Sequence, residues 1–386
     1  MIAPFGFASA GQVLFGHGRA ADVPRAVADL GRRALVLTGG HPDRHAALLD
    51  GLTAEGVQHA VLPVPAEPTV DDARAAVDAA RDHEVVLGVG GGSVLDLAKA
   101  AGALVAGDDP MEHLEVVGAG RPLPGPGLPV VAVPTTAGTG SEVTANAVLT
   151  ASEHGVKVSL RGPTVLPRLA VVDPLLTVAC PPQVTASSGL DALTQCLEPF
   201  VSVRANPLTD GFARTGLRAA GQSLRRAHAD GGDVEARTDM ALCSLLGGLA
   251  LANAKLGAVH GLAGALGGLT GAAHGALCAA VLPAVVRANV TALRDRDPGS
   301  SALRRYDEAA ALLTGDPHAG VDDLLGWLVE TTRLLDIPPL ATHGVTAADS
   351  PRVVAAAARA SSTAGNPVVL SEEELEAVLA EALAAT

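Results

Sequence analysis

Aromatic residues are scarce in this chain of 386 residues, and basic residues are fewer than acidic ones. Phe, Trp and Tyr make up only 2% of it while 48% is hydrophobic, so small and branched apolar residues must pack the core. This composition argues against an aromatic-rich binding surface. The formal net charge of −14, with no basic block to offset it, argues against nucleic acid or an anionic membrane as a partner.

Paired cysteines and a targeting signal are also lacking. The cysteines are far apart and form no CxxC pair: Cys180, Cys196, Cys243 and Cys278. The N-terminus has neither the charged start nor the unbroken apolar run of a signal peptide. The most hydrophobic region, 241–286, contains a lysine and two histidines, which favours buried helices over a membrane span. We therefore expect a cytoplasmic protein in a reducing compartment.

The length and the pattern of the chain predict two domains. At 386 residues, the chain exceeds the size that one hydrophobic core usually reaches. In its first part, short β-branched runs alternate with helical stretches, the runs being 34–38, 60–64, 85–90 and 130–134. Nearly continuous apolar strands separated by helices indicate a parallel sheet covered on both faces, a Rossmann-like α/β fold.

Beyond about residue 180, long Ala- and Leu-rich segments replace the strand-like runs. They span 184–203, 208–228, 234–254, 274–290, 301–314, 319–335, 350–362 and 371–384. We therefore predict an α/β domain over 1–178 and an all-helical domain over 179–386.

Two glycine-rich turns follow the third and fourth predicted strands. The first, 90–93, opens a helix that carries Asp96, and the second, 134–142, is dense in threonine and glycine. Glycine lets the backbone approach a ligand closely, and a helix N-terminus offers free N–H groups to a pyrophosphate. Neither turn matches the GxGxxG or Walker A pattern, yet together they indicate phosphate binding at the carboxyl ends of neighbouring strands.

A candidate metal centre lies in the second half of the chain. Asp191 and Gln195 are four residues apart, which places them on one face of a helix, and His260 and His274 are each followed by glycine. One carboxylate, two imidazoles and an amide oxygen suit Fe²⁺ or Zn²⁺. Such an ion would polarise a carbonyl group. Spacing alone does not decide this, because a single histidine is more often a packing residue than a ligand.

Five motifs in one order resemble the iron-containing (group III) alcohol dehydrogenase family. They are GGGSVLDLAKA, PTTAGTGSEVT, AVVDPLLT, GLDALTQCLEPFVSVRANPLTD and GAVHGLAGALGGLTGAAHGALCAAVLP. The resemblance implies a dehydroquinate synthase-like architecture, NAD(P)H in a cleft and a divalent metal ion, Fe²⁺ or Zn²⁺, beside the nicotinamide.

The family's site residues transfer to matching positions of this sequence. The resemblance implies a pyrophosphate and ribose loop at Gly91, Gly92, Ser93 and Asp96. It implies a second cofactor turn at Thr135, Thr136 and Thr139, and a lysine near the nicotinamide ribose at Lys157. The implied metal ligands, which are also the catalytic residues, are Asp191, His260 and His274.

Two positions depart from the family pattern. Gln195 stands where the family usually has a fourth ligand, histidine, and Gly264 where it often has a histidine near the nicotinamide. Three alternatives follow for the metal: weak binding with Gln195 as a ligand, which we prefer, a three-ligand site completed by water, or hydride transfer without metal. Gly264 removes a proton relay and enlarges the pocket, which suggests a bulkier or anionic substrate.

The end of the first predicted strand bears on cofactor choice. NAD-selective relatives tend to have an aspartate there, but this chain reads Thr38-Gly39-Gly40, and His41 or Arg44 is placed to meet a 2′-phosphate. We therefore expect NADP(H) to be at least tolerated.

The predicted function is metal-assisted hydride transfer between NAD(P)H and an aldehyde or ketone. The alternatives are a maleylacetate-reductase-like oxidoreductase, against which Ala137 counts, a dehydroquinate-synthase-like lyase, and a non-catalytic paralogue. We expect a small-molecule partner and a homodimer.

Overall fold

The computed structural model describes residues 4–107 and 109–384, which form two compact units. The α/β unit comprises Ala8–Thr136 and Gly140–Thr177, and the helical unit contains Ala137–Thr139 and the chain from Val178 onward, together with 4–7. The predicted domain division at 178 did not anticipate that Ala137–Thr139 belongs to the helical unit. A Cβ atom on Gly138 would lie 2.7 Å from the Ser188 Cβ, so glycine permits this close approach.

A parallel sheet forms the centre of the α/β unit, as the sequence predicted. Its strands run in the order β1-β8-β5-β4-β2-β3, and the remaining pair, β6 and β7, forms a separate antiparallel hairpin. The strands are β1 Val13–Phe15, β2 Arg33–Gly39, β3 Gln58–Val64, β4 Val85–Gly90, β5 Val130–Pro134, β6 Asn146–Ala151, β7 Val156–Arg161 and β8 Leu169–Val172. The helices are α1 Val23–Leu30, α2 Ala46–Ala54, α3 Val70–Ala80 and α4 Gly92–Leu104.

Burial explains which strands the sequence revealed. Every residue of β4 and β5 is buried, because helices cover both faces of a parallel sheet, and such strands appear as continuous apolar runs. The sequence analysis missed β1 and β8, which are three and four residues long and too short to show a periodicity. It also missed β6 and β7, where buried and half-buried residues alternate in a hairpin outside the sheet.

The helical unit has its own apolar core. Its helices are α5 Pro182–Val201, α6 Pro207–Ala229, α7 Val234–Ala254, α8 Ala258–Thr270, α9 His274–Arg296, α10 Ser301–Thr314, α11 Val321–Leu334, α12 Ser350–Arg359 and α13 Glu372–Ala384. Each helical segment predicted from the sequence overlaps one of these. The prediction omitted α8, whose sequence AVHGLAGALGGLT contains several glycines, which are weak helix formers.

One described helix, α9, is long and apolar enough to cross a bilayer. However, 72% of its most apolar window is buried inside the protein. Helices α7 and α8 taken together are also long and apolar enough to cross a bilayer, but they meet at a bend of 99°. Core helices of globular domains have the same composition, so these helices give no support to a membrane span.

Candidate metal centre and cofactor turns

Helix α5 presents a buried polar face. It begins at Pro182, a residue suited to the first turn because its missing N–H would be unpaired there anyway. Asp191, Gln195 and Glu198 follow at spacings of four and three residues, so they lie on one face of the helix. Their exposed fractions are 1%, 3% and 6%, so none of the three is solvated by bulk water.

Helices α8 and α9 bring two imidazoles and a thiol to this face. His260 lies in the first turn of α8, and His274 begins α9, with Cys278 one turn later. The imidazole centroids are 5.4 Å apart. One donor atom from each of Asp191, His260, His274 and Cys278 lies within 4.8 Å of the others, close enough to share one ion.

Three buried donor atoms at this place have no hydrogen-bond partner among the residues that the structure describes: Asp191 Oδ1, Gln195 Oε1 and His260 Nε2. His260 Nε2 lies 3.4 Å from Asp191 Oδ1, but without hydrogen-bonding geometry. A buried polar atom without a partner costs roughly 1–3 kcal/mol, so most are satisfied in native proteins. The donor atoms of a metal centre are expected to look like this before an ion binds.

A carboxylate behind the centre fixes the orientation of His260. Glu198 Oε2 lies 2.6 Å from His260 Nδ1, and Glu198 Oε1 accepts the Val259 backbone N–H at 2.8 Å. Asn366 Oδ1 accepts the neighbouring Ala258 backbone N–H at 3.0 Å, which also holds the start of α8. A carboxylate that accepts the Nδ1 proton leaves the Nε2 lone pair free for a metal.

Charge coupling is strong among these side chains. Although burial favours the neutral acid, interactions with His260 and the charge of His274 hold the pKa of Asp191 below its ordinary value. Burial also opposes the charged imidazolium, but Cys278 and Glu198 raise the pKa of His260 well above its usual range. The pKa of His274 is raised for a similar reason, chiefly by Cys278. An electron-rich set of donors is therefore concentrated in a buried space.

The structure groups the predicted ligands and adds two residues that the sequence analysis missed. Asp191, His260 and His274 come together as predicted, and Gln195 interacts with Asp191. The missed residues are Cys278 and Glu198. The spacing that identified Gln195 would have found both, because Cys278 is four residues after His274 and Glu198 is seven after Asp191.

Gly264, the second departure from the family pattern, faces open space. A Cβ atom added at this position would meet no heavy atom within 4 Å. The helical unit therefore has room for a larger side chain at this position, one turn after His260 on α8.

The first glycine turn forms the N-terminus of α4. Gly91 precedes the helix in an extended conformation, and Gly92 and Ser93 form its first turn. A Cβ atom on Gly90 would lie 2.5 Å from Val94, so glycine allows the helix to start directly above the strand. The unpaired N–H groups of this turn suit a phosphate.

Asp96 and Lys99 connect α4 to the second turn. Asp96 Oδ1 accepts from Ser141 Oγ at 2.5 Å, and its Oδ2 accepts the Val148 backbone N–H at 3.0 Å. Lys99 is fully buried and donates to the Ser141 carbonyl and hydroxyl and to Thr144 Oγ1. These bonds give Asp96 a positioning role within the α/β unit, and its predicted contact with a cofactor stays a prediction.

The predicted residues of the second turn divide between the two units. Thr135 and Thr136 belong to the α/β unit, where Thr136 Oγ1 lies 3.4 Å from the position of a Gly91 Cβ, whereas Thr139 belongs to the helical unit. Gly140 reverses the chain with φ +59°, a left-handed conformation that favours glycine. Thr136 and Gly91 are therefore neighbours, as a common cofactor loop requires.

Lys157 lies on β7, and its Nζ is 3.3 Å from Glu67 Oε2. Its side chain is 8% exposed, so this ion pair is largely shielded from water. The structure therefore gives the lysine an acidic neighbour, and its predicted role beside a ribose stays a prediction.

Family models match both units. A model described as iron-containing alcohol dehydrogenase matches residues 10–174, and one for the C-terminal region of the Fe-containing alcohol dehydrogenase family matches 185–383. The two matches agree with the resemblance that the five motifs carry.

Individual relatives and a solved structure agree with the family models. The 1,3-propanediol dehydrogenase of Klebsiella pneumoniae is 34% identical over 362 residues, 92% of this chain and 90% of that protein. Long-chain-alcohol dehydrogenase 1 of Geobacillus thermodenitrificans is 46% identical over 208 residues, about half of each protein (53% and 52%). The crystal structure of a 1,3-propanediol oxidoreductase superposes with a TM-score of 0.90 and 31% identity, over 98% of this chain and 100% of that one. This likeness confirms the predicted fold class.

Proposed function

Because this chain belongs to the iron-containing alcohol dehydrogenase family, we propose that its helical unit holds the catalytic metal ion and its α/β unit the nicotinamide cofactor. The protein is an NAD(P)-dependent oxidoreductase that interconverts alcohols with aldehydes or ketones, as the sequence predicted. Members of the family use NAD(P)H and a divalent metal ion.

The observation that supports the metal site is the group of unpaired donor atoms on α5 and α8. Asp191 Oδ1, Gln195 Oε1 and His260 Nε2 are buried without partners, and His274 shares the same space. We propose these four residues as the metal ligands. Carboxylate, imidazole and amide donors suit Fe²⁺ and Zn²⁺.

A metal ion bound there would polarise the substrate carbonyl and stabilise the alkoxide as hydride arrives. The protein's own residues prepare for this. Glu198 keeps His260 in one orientation, and burial removes competing water from Asp191. Gly264 has no side chain that can relay a proton, so the alkoxide takes its proton from water, a ribose hydroxyl or His274.

Metal analysis with activity measurement tests the site. We expect about one Fe²⁺ or Zn²⁺ per chain after anaerobic purification, with turnover lost on chelation and restored when the ion returns. Full activity in metal-free protein would refute the metal-assisted mechanism and favour hydride transfer without metal.

The proposed cofactor site comprises residues of both glycine turns. The N-terminus of α4, at Gly91, Gly92 and Ser93, suits the pyrophosphate. The further candidates are Asp96, Thr135, Thr136, Thr139 and Lys157. We expect Gly92→Val to weaken NAD(P)H binding, measured by cofactor fluorescence, because a branched side chain would obstruct the backbone N–H groups of this turn. Unchanged affinity would argue against the turn as the phosphate site.

The proposed cofactor preference includes NADP(H). The carboxyl end of β2 has no acidic side chain, a Cβ atom on Gly39 would meet nothing within 4 Å, and Arg44 is exposed nearby in the sequence. We predict that Gly39→Asp lowers the ratio of kcat/KM for NADPH over NADH by about 10-fold, because the carboxylate repels a 2′-phosphate and accepts the ribose hydroxyls of NAD. Wild-type protein that is inactive with saturating NADPH but active with NADH would contradict the proposal.

The proposed substrate is a carbonyl compound larger than the shortest aldehydes. The open space beside Gly264 supports this size class. A series of aldehydes and oxoacids of increasing length, assayed with NADPH, tests this size class. An activity that falls steadily from the shortest member would exclude it.

We also propose a homodimer in the cytoplasm. The lack of a paired-cysteine framework in the sequence supports a reducing compartment, and light scattering would test the dimer.

A further inference from the structure

Cys278 lies in the metal centre although the sequence pattern did not assign it there. It follows His274 by one helical turn on α9, and its Sγ atom is 3.5 Å from His274 Nε2. Cys278 is completely buried. Its sulfur is within 4.8 Å of the donor atoms of Asp191 and His260.

The distances between the donors match those around a tetrahedral ion. With metal–nitrogen and metal–oxygen bonds of about 2.0 Å and a metal–sulfur bond of about 2.3 Å, tetrahedral angles place nitrogen and oxygen about 3.3 Å apart and nitrogen and sulfur about 3.5 Å apart. In the structure, His260 Nε2 and Asp191 Oδ1 are 3.4 Å apart, and His274 Nε2 and Cys278 Sγ are 3.5 Å apart. These two separations are compatible with one ion. The Cys278–His274 separation also fits a hydrogen bond between the thiol and the imidazole, which a cobalt spectrum distinguishes from a sulfur–metal bond.

The donor set also explains how this chain tolerates the loss of a family ligand. The amide oxygen of Gln195 is a weaker donor than an imidazole, whereas a thiolate binds borderline and soft ions such as Zn²⁺, Co²⁺ and Fe²⁺ strongly. We propose that Cys278 binds the metal as a thiolate and takes the position assigned above to Gln195, so that the four donors are Asp191, His260, His274 and Cys278. A substrate carbonyl would then bind as a fifth ligand. The sulfur–metal bond forms as the thiol proton leaves to solvent. This inference rests on the metal centre proposed above.

A second pair of buried cysteines provides a matched control. Cys196 and Cys243 have sulfur atoms 3.9 Å apart, and Cys196 Sγ also contacts the Cys243 carbonyl oxygen at 3.6 Å. Cys243 is as buried as Cys278 but is absent from the group of candidate ligands. Cys243→Ser therefore removes a buried thiol without removing a proposed donor.

Cobalt substitution tests the sulfur ligand independently of activity. The full chain, stripped of metal and loaded with Co²⁺, should show a near-ultraviolet sulfur-to-cobalt charge-transfer band. Cys278→Ser should abolish the band. It should also weaken Co²⁺ binding by at least roughly 10–100-fold, which is the loss seen when a residue that only supports a metal ligand is removed. Cys243→Ser should keep both the band and the wild-type Co²⁺ affinity. Adding Gln195→His to Cys278→Ser should restore affinity without the band, which shows that the variant still folds.

Each result is decisive. Stoichiometric Co²⁺ without the band in the wild-type chain would overturn the sulfur ligand but leave the metal centre intact. A band that survives Cys278→Ser would also overturn it. Failure of the wild-type chain to bind Co²⁺, Zn²⁺ or Fe²⁺ would overturn the metal centre together with the inference.

Discussion

Two buried polar groups of this protein differ in how fully their atoms are satisfied. In the α/β unit, Lys99 has three hydrogen-bond acceptors and an ion pair with Asp96, whose other oxygen accepts a backbone N–H. In the helical unit, Asp191, Gln195 and His260 each have a buried atom that receives no hydrogen bond from the described part of the chain. Both groups are nearly inaccessible to water, so burial does not distinguish them.

The contrast separates a structural role from a binding role. A buried polar group whose bonds are complete stabilises the local fold, whereas unpaired buried atoms cost free energy until a ligand supplies the missing contacts. The centre on α5, α8 and α9 therefore has the properties of an incomplete site. An ion that binds there would stabilise the folded state by an amount that grows with the logarithm of its free concentration.

Removing the central carboxylate should have the largest effect on activity. We expect Asp191→Ala to lower kcat by about 10³-fold or more, since Asp191 is a proposed ligand of the ion that would stabilise the developing charge. Metal-free stability should fall by roughly 1–3 kcal/mol, because the interactions with His260 and His274 that offset the burial of Asp191 are lost. Steady-state kinetics measures the loss of kcat, and urea unfolding measures the stability. A titration with NADPH should show that cofactor binding is largely intact.

Asp239→Ala is the matched control. Asp239 lies on α7 and its Oδ2 accepts from Ser223 Oγ, so this variant loses a carboxylate of the same unit whose role is structural. Added metal should raise the melting temperature of the wild-type chain and of Asp239→Ala but not of Asp191→Ala. An equal rise in all three proteins would contradict the binding role of Asp191.

Removing the fully hydrogen-bonded Lys99 from the α/β unit should mainly affect stability. We expect Lys99→Met to lower the free energy of unfolding by about 3 kcal/mol, because Asp96 and Ser141 lose a buried partner. Cofactor affinity should fall with it, since this lysine holds the turn that contains Ser141. Urea unfolding measures the loss, and Arg81→Met, which removes an exposed ion pair with Asp78, should cost less than about 1 kcal/mol. Equal losses would show that the Lys99 bonds contribute little.

The parts that sequence analysis could predict are those fixed by local pattern. Strands β2 to β5 are nearly continuous apolar runs, and the face of α5 follows from the four-residue spacing of Asp191 and Gln195. The same helical spacing places Cys278 on the face of His274 and Glu198 on the face of Asp191. However, the sequence does not reveal which buried atoms lack hydrogen-bond partners. That information depends on how α5, α8 and α9 pack.

The parts that sequence could not reveal depend on tertiary contacts. From the sequence, Asp96 is predicted to bind a ligand because it follows a glycine turn. In the structure, its oxygens accept hydrogen bonds from Ser141 and Val148, which are more than forty residues away in the chain. Strands β1 and β8 are defined by pairing with each other, Val13 opposite Ala170, rather than by their composition. Such long-range pairing leaves no local periodicity.

The smallest predicted effect concerns Glu142, a buried acidic residue next to Ser141 in the α/β unit. Glu142 is 2% exposed, and burial raises its pKa to about 7, although the nearby Lys99 opposes the shift. The folded state therefore holds an extra proton between the ordinary carboxyl pKa of 4.5 and about 7, so this residue makes stability fall as pH rises through that range. Glu142→Gln should be more stable than the wild-type chain by about 2 kcal/mol at pH ~8 and by much less at pH ~5. Urea unfolding at both pH values decides this. A variant less stable than wild type at the higher pH would mean that the charge of Lys99 outweighs the burial of Glu142 and that the pKa of this carboxyl group is not raised.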